Sequence, residues 1–385
     1  MKKTKIVFIA ESLVPHGGTE KILTEKANYM SDNFGYDITI ITCTQPNEQP
    51  NAFPLSKTVR QINLSIPYYR QYRYRYPKRL WVKQELNKQL KKAITESILQ
   101  LNPDITICTA GFKADIINTI GCRAKKITEC HEARYFVMAD LDRRRTWFSR
   151  LYMNLYKRKK YFHAIEKNAD VVVTLTEGDK RLWRKAKHVE VIPNFSTMQV
   201  SQFSDSTNKR IIAVGRLSPE KGYERLIEIW KSVSPQFPEW SLDIFGEGKL
   251  HDELTSTIQN ANLKNIHIHN ATSDISEEYA KSSICVMSSY LEGFGLVLLE
   301  AMKHGIPCVA FDCPFGPGSI IKDDQCGFLV DDSNIPLFAE KLGLLMKNEN
   351  TRKSFSAAAI ERSKDFSVDS IMNKWKQLFE NLLKT

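Results

Sequence analysis

Two doubly wound α/β domains are what this sequence predicts, and three observations carry the expectation. Short runs of β-branched residues alternate along the chain with glycine-containing loops and stretches of helical period, the pattern of βαβ units on a parallel sheet. The 385 residues exceed what a single core serves, so two domains of roughly 150 to 200 residues are expected. A polar, Ser/Thr-rich stretch without periodicity, STMQVSQFSDSTNK (196–209), falls between two series of such units and reads as a linker.

In the first series KIVFIA (5–10) reads as a strand, 19–33 as a helix stopped near Gly35, and DITIITC (37–43) as the next strand. Further strands are predicted at 104–110, 125–130, 170–176 and 189–194. After the linker, strands at 210–214, 241–245, 266–269, 284–288, 307–311 and 327–330 alternate with helices at 219–233, 250–261, 274–281, 295–304 and 335–347. The expected division is 1–195 for one domain and 196–367 for the other. Two such domains facing each other would place a cleft between the C-terminal ends of their sheets, where ligands of doubly wound folds bind.

Eight scattered cysteines, none in a C-x-x-C pair, suit a reducing compartment. The N-terminal MKKTKIVFIAES has only about five consecutive apolar residues, short of a secretory core, and no run of 18 apolar residues occurs, so a cytoplasmic protein is expected. Net charge is +11, unevenly placed: residues 1–195 hold 35 Lys and Arg against 19 Asp and Glu, the remainder 20 against 25. The two halves are therefore expected to meet different partners.

Four loops carry candidate chemistry. In LEGFGLVLLEAMKHGIPCVA (291–310), Glu292 falls in the loop after a strand and Glu300 about a turn and a half into the next helix. The amides of Phe294, Gly295 and Leu296 would be free donors at the helix start, and Gly293 and Gly295 let a ligand approach the backbone. The alternative is a loop acid and a solvated helix position, but the residues around Glu300 are apolar on every side, which implies burial and partners. In AVGRLSPEKGYERL (213–226), Arg216 and Lys221 follow a strand end. Cations there oppose the helix dipole, so local stability does not explain them; they suit a diphosphate, with solvated surface charges as the alternative.

In SLVPHGGTEKILTEKAN (12–28), Gly17 and Gly18 precede Thr19, a plausible N-cap, and would bring backbone amides to a ligand's phosphate. G-x-G-x-x-G is missing and the second strand ends without an acid for a ribose, which argues against a dinucleotide oxidoreductase. In TECHEARYF (128–136), His131 stands just past a strand end, as a structural imidazole or as one that positions a sugar. Asp140 and Asp142 form a D-x-D leading into three arginines, better suited to ion pairing than to metal. His267 and His269 alternate along a strand with no third ligand nearby, so no metal site is expected.

Taken together, GGTE, VIPN, GRLSPEKG and SSYLEGFGLVLLEAMKHGIPCVA, closing on GFLV, resemble the retaining glycosyltransferases of the GT-B fold, family 4, over nearly the whole chain. The resemblance implies that Glu292 contacts the donor sugar, Glu300 the donor ribose, Arg216 and Lys221 the diphosphate, and that His131 lies near the sugar. It implies a nucleotide sugar as co-substrate, with no further cofactor and no required metal. FDCPFGPGSII (311–321) is similar to a Gly-Pro loop of members that build bacterial capsule, O-antigen or lipid-linked glycans from UDP-sugars, although here no acid precedes the isoleucines. The final FSVDSIMNKWKQLFENLLKT fits the family's terminal helix, so about 368–385 is expected on the first domain.

Two basic, aromatic stretches, 68–83 and 143–162, remain: either a solvated basic face or a surface for an anionic bilayer carrying a lipid-linked glycan acceptor, which would make the protein peripheral on the inner face of the plasma membrane. GDP-sugar donors, a nucleic-acid-binding protein and an inactive sugar-binding protein are the competing readings; the paired glutamates argue against nucleic acid as partner.

Overall fold

The computed structural model describes residues 3–134 and 159–384. The chain divides into two compact units, Met1–Ile192 with Ile371–Thr385, and Pro193–Ser370.

The first unit runs β1 (Lys5–Ala10), α1 (Gly18–Phe34), β2 (Asp37–Thr42), β3 (Arg60–Asn63), α2 (Lys78–Leu101), β4 (Ile105–Thr109), α3 (Ala114–Ile117), β5 (Lys125–Glu129), α4 (Lys159–Asn168), β6 (Val171–Thr174), α5 (Glu177–Lys180) and β7 (Val189–Val191). Its seven strands are parallel in the order β3-β2-β1-β4-β5-β6-β7. Strands covered on both faces must be apolar nearly throughout, and β1 and β2 are buried at every position but the first. Gly35 ends α1 in the left-handed conformation, as its position predicts.

The second unit runs β8 (Arg210–Val214), α6 (Tyr223–Val233), β9 (Ser241–Phe245), α7 (His251–Asn260), β10 (Ile266–His269), α8 (Ile275–Ala280), β11 (Ile284–Met287), α9 (Leu296–Lys303), β12 (Cys308–Phe311), α10 (Pro317–Ile320), β13 (Gly327–Val330), α11 (Ile335–Lys347) and α12 (Glu349–Ser363). Its six parallel strands lie in the order β10-β9-β8-β11-β12-β13. His267 and His269 thus sit on an edge strand, where His269 pairs with Asp243 at 2.5 Å and stacks on Phe245.

The last helix, α13 (Val368–Lys384), crosses from the second unit to the first. Ile371, Met372, Trp375, Leu378 and Phe379 form its buried stripe at three- and four-residue spacing. Phe379 lies 6.0 Å from the Tyr36 ring, and Trp375 covers the Lys26 ammonium at 4.4 Å.

Several expectations need correction. The stretch 196–209 is not a free linker: Ser196, Ser204 and Ser206 are buried, Lys303 Nζ donates to the carbonyls of Ser196 (3.0 Å) and Met198 (2.6 Å), and Arg352 Nε donates to that of Ser206 (2.9 Å). Its polar backbone is satisfied by side chains far along the chain, which a local reading misses. The first helix is capped by Gly17, without a side-chain bond, and Thr19 lies inside its first turn. The helix expected over 219–233 is a 3-10 turn, Pro219–Lys221, followed by α6, with Gly222 between them at φ +62°. Asp140, Asp142 and most of 143–162 lie outside the described residues.

Replacing Trp375 by Ala is expected to lower the stability of the first unit by about 3–5 kcal/mol, the usual cost of deleting a buried tryptophan. Urea unfolding followed by circular dichroism checks this, and a loss well below 1 kcal/mol would mean that α13 is not part of that core.

Candidate active site

In an open parallel sheet, ligands bind beyond the carboxyl ends of the strands where the strand order reverses. In the second unit that point lies between β8 and β11, and the loops leaving these two neighbouring strands carry Arg216 and Lys221 on one side and Glu292 on the other.

The two loops are latched together by their backbones. Tyr290 N–H donates to Glu220 O at 2.9 Å, and Ser288 Oγ donates to Lys221 O at 3.0 Å. Gly222 makes the approach possible: its φ of +62° is left-handed, and a Cβ built there would lie 2.3 Å from Ser288 O. The buried guanidinium of Arg225 closes the latch, with Nε donating to Ser288 O at 2.5 Å, Nη2 to Ser289 O, and Nη1 to Asp332 at 2.8 Å. The rings of Tyr290 and Phe311 each lie 4.0 Å from that guanidinium.

The outcome is a short ion pair. Lys221 Nζ stands 2.6 Å from Glu292 Oε2, both side chains being more than four-fifths covered, and Ser289 Oγ lies 3.4 Å from the same oxygen. Behind it, Glu292 N–H meets Pro314 O at 3.4 Å, and a Cβ on Gly316 would fall 2.7 Å from Phe294 O. The Gly-Pro loop at 311–321 thus backs the loop that holds Glu292. Burial, aided by the Glu292 carboxylate, pushes the nearby Cys313 thiol up to about 12, which makes it inert, and raises the Tyr223 hydroxyl as well.

The other predicted residues of this unit are placed unevenly. The Arg216 side chain is 80% exposed, its guanidinium 3.7 Å from Glu220. Gly293 and Leu296 are half-buried; Gly295 caps α9 at φ +99°, a left-handed conformation glycine adopts readily. Phe294 turns its side chain inward against Phe366, leaving its backbone as the part suited to a ligand. Glu300 is 9% exposed, with the Tyr279 hydroxyl 3.5 Å from its carboxylate, so burial with a partner holds as expected.

In the first unit, Gly17 and Gly18 open α1 directly after β1, at that sheet's own reversal between β1 and β4. A Cβ on Gly17 would lie 2.3 Å from Glu20 Oε2, so the Glu20 carboxylate fills the space beside this turn. His131 follows β5, its side chain 5% exposed, with Nε2 3.5 Å from Glu129 Oε2. Glu129 in turn pairs with the buried Lys26. Burial works to raise the Glu129 carboxyl, but Lys26 and His131 outweigh it and hold it at about 2. Among the described residues, no group of three or more His, Cys, Asp or Glu is placed to hold a metal ion.

Sequence reasoning found Lys221 and Glu292 but missed Arg225, Ser288 and Tyr290, which set their geometry. An arginine inside the buried stripe of α6 was the available signal.

Two Rossmann-like parallel sheets make up the GT-B fold. Residues 194–362 match the family described as Glycosyl transferases group 1. It is 37% identical over 221 residues to the amylovoran biosynthesis glycosyltransferase AmsD of Erwinia amylovora, covering 54% of this chain and 62% of that protein. It is 27% identical over 383 residues to an uncharacterized glycosyltransferase of Haemophilus influenzae, covering 97% of this chain and 99% of the relative. Among solved structures, a variant of S. aureus TarM in complex with fondaparinux, alpha-GlcNAc-glycerol and UDP superposes with a TM-score of 0.77 at 18% identity, over 98% of this chain and 99% of that one. Sucrose-phosphate synthase from Thermosynechococcus elongatus superposes with a TM-score of 0.78 at 17% identity, over 99% and 100%. At these identities the likeness to solved structures shows the shared fold.

Gly222→Ala is expected to cost at least the roughly 1–2 kcal/mol of a left-handed non-glycine residue, with the contact to Ser288 O added. A thermal melt reads it, and an unchanged midpoint would mean the two loops are not latched as described.

Proposed function

We propose that the protein transfers a sugar from a nucleotide diphosphate, a UDP-sugar, to a hydroxyl of a growing, lipid-linked bacterial surface glycan, with retention at the anomeric carbon. The observation that carries this reading is the Lys221–Glu292 pair at the β8/β11 reversal. Each group is the other's partner, so a donor that engages both must exchange one ion pair for two interactions: the lysine with diphosphate and the carboxylate with sugar hydroxyls. A nucleotide sugar supplies both at once; a bare phosphate or a bare sugar supplies only one.

As the bond to the sugar breaks, negative charge grows on the departing diphosphate. Lys221 is fixed by the latch, Arg216 is exposed on the same loop, and the backbone amides at 294–296 lie at the start of α9; together they would stabilise that charge. Glu300, in the same helix, would hold the ribose; within the first unit, His131 and the Gly17–Gly18 turn both follow the C-terminal ends of strands and would suit sugar hydroxyls. With Glu20 beside it, that turn suits a hydroxyl better than a phosphate.

Relatives support the acceptor class. AmsD is named for amylovoran biosynthesis, and a protein of Staphylococcus aureus, 29% identical over 230 residues, is named a poly(ribitol-phosphate) alpha-N-acetylglucosaminyltransferase. UDP accompanies alpha-GlcNAc-glycerol in the TarM complex, which favours a uridine donor here.

A membrane-bound acceptor accounts for the first unit's surface. Tyr69, Tyr72, Tyr76, Leu80 and Trp81 are exposed, Trp81 by 67%, among Arg70, Arg73, Lys78 and Arg79. Arg79 lies 4.7 Å from the Tyr72 ring and Lys78 4.6 Å from that of Tyr74. Anionic headgroups attract such cations at about 1 kcal/mol each, while Tyr and Trp settle at the interface. No helix among the described residues is long and apolar enough to cross a membrane.

Lys221→Ala and Glu292→Ala are each expected to lower turnover about a hundredfold or more, matching the roughly 2.7–4 kcal/mol of one preorganised donor. Near-normal turnover in both variants sinks the site. A thermal-shift panel of UDP, GDP and ADP should show the largest rise with UDP, since a ligand of the folded state raises the melting temperature; a rise with GDP alone would assign the donor to guanosine. Flotation with phosphatidylserine vesicles at low salt should carry the protein upward, and a protein that stays behind ends the membrane reading.

A further inference from the structure

Outside the β8/β11 site, the most unusual buried chemistry lies in the first unit. Lys26 of α1 and Glu129, the last residue of β5, form an ion pair whose side chains are 1% and 2% exposed. The Trp375 ring of α13 covers the ammonium at 4.4 Å, and Phe8 of β1 lies 5.8 Å from it. A buried ion pair is no more stabilising than well-packed apolar residues of similar volume, so fold stability alone gives no account of it. Its geometry does. Lys26 takes one carboxylate oxygen, Oε1, and the other, Oε2, faces His131 Nε2 at 3.5 Å.

We infer that Glu129 is a positioning residue for His131, holding the imidazole with its proton on Nε2 and its lone pair on Nδ1, with Lys26 and Trp375 fixing the carboxylate in turn. This rests on the reading of His131 as a residue of the transfer site. Both ring nitrogens and Glu129 Oε2 are buried without a hydrogen-bond partner among the described residues, so the 3.5 Å approach of Nε2 to Oε2 is a charge contact that favours the proton on Nε2, and Nδ1 is the nitrogen left for a substrate hydroxyl. The lone pair there is an acceptor, so the imidazole would take a hydrogen bond from a sugar O–H. In the other tautomer Nδ1 would be a donor and Nε2 would point a lone pair at a carboxylate. Lys26 balances the Glu129 charge in the core.

The test separates orientation from function. Selective 15N-histidine labelling, with His131→Gln to assign the resonance, reads the tautomer directly in the full chain. Wild type should show the Nε2–H form, and Lys26→Met/Glu129→Gln, which removes both charges and keeps the core neutral, should lose it. UDP release from UDP-N-acetylglucosamine, UDP-glucose and UDP-galactose then reads turnover. The double variant should lose about tenfold or more in kcat with donor KM changed less than threefold, and Glu129→Gln alone should also lower the melting temperature by stranding Lys26. An Nδ1–H form in wild type, or an unchanged tautomer in the double variant, overturns the inference. A tautomer as stated, together with full turnover by His131→Gln, instead removes His131 from the transfer site and leaves Glu129 orienting a structural imidazole.

Discussion

The buried guanidinium of Arg225 is the group on which the candidate site depends. It spends its donors on two consecutive backbone carbonyls, Ser288 and Ser289, and on Asp332, between two aromatic faces. Those carbonyls belong to the loop that carries Glu292, while Arg225 belongs to the helix that follows Lys221 and Gly222. The loops of two neighbouring strands are therefore one rigid object, and the Lys221–Glu292 contact is set before any ligand meets it. Preorganisation of this kind lets charged groups stabilise developing charge without first paying to reorient.

The first unit solves a similar problem differently. There a buried carboxylate, not a cation, is the hub: Glu129 is paired with Lys26, whose ammonium lies under the Trp375 ring of α13, and its other oxygen stands 3.5 Å from His131. A helix that is last in the chain thereby becomes part of the environment of a loop residue far earlier in it. The first unit's surface carries exposed Tyr69, Tyr72, Tyr76 and Trp81 among basic residues.

Much of the architecture was legible residue by residue. Buried parallel strands are largely apolar, so β8, β9 and β13 stand where their runs predict, as does the edge strand β10 with its alternating Ile and His, and Gly35 and Gly305 mark helix ends through their positive φ. Other elements were not. The 24-residue α2 buries Leu86, Leu90, Ile94 and Ile98, one residue per turn, a stripe too thin among lysines and glutamines to stand out. The strand β3 is four residues long with no fully buried position, and 196–209 looks like a linker because its partners, Lys303, His304 and Arg352, lie about a hundred residues or more away.

The sequence by itself determined the α/β class, the two-unit plan, and the residues Lys221, Glu292 and Glu300 as charges in places that local stability does not explain. Periodicity and helix-end chemistry are local properties, so a linear reading reaches them. Only the tertiary structure decided that Lys221 meets Glu292, that Arg225 makes them meet, and that Glu129 faces Lys26 and His131 at once. Those contacts join residues 71, 63 and 103 positions apart, brought together by the order of strands in a sheet, and no local pattern in the chain encodes that order.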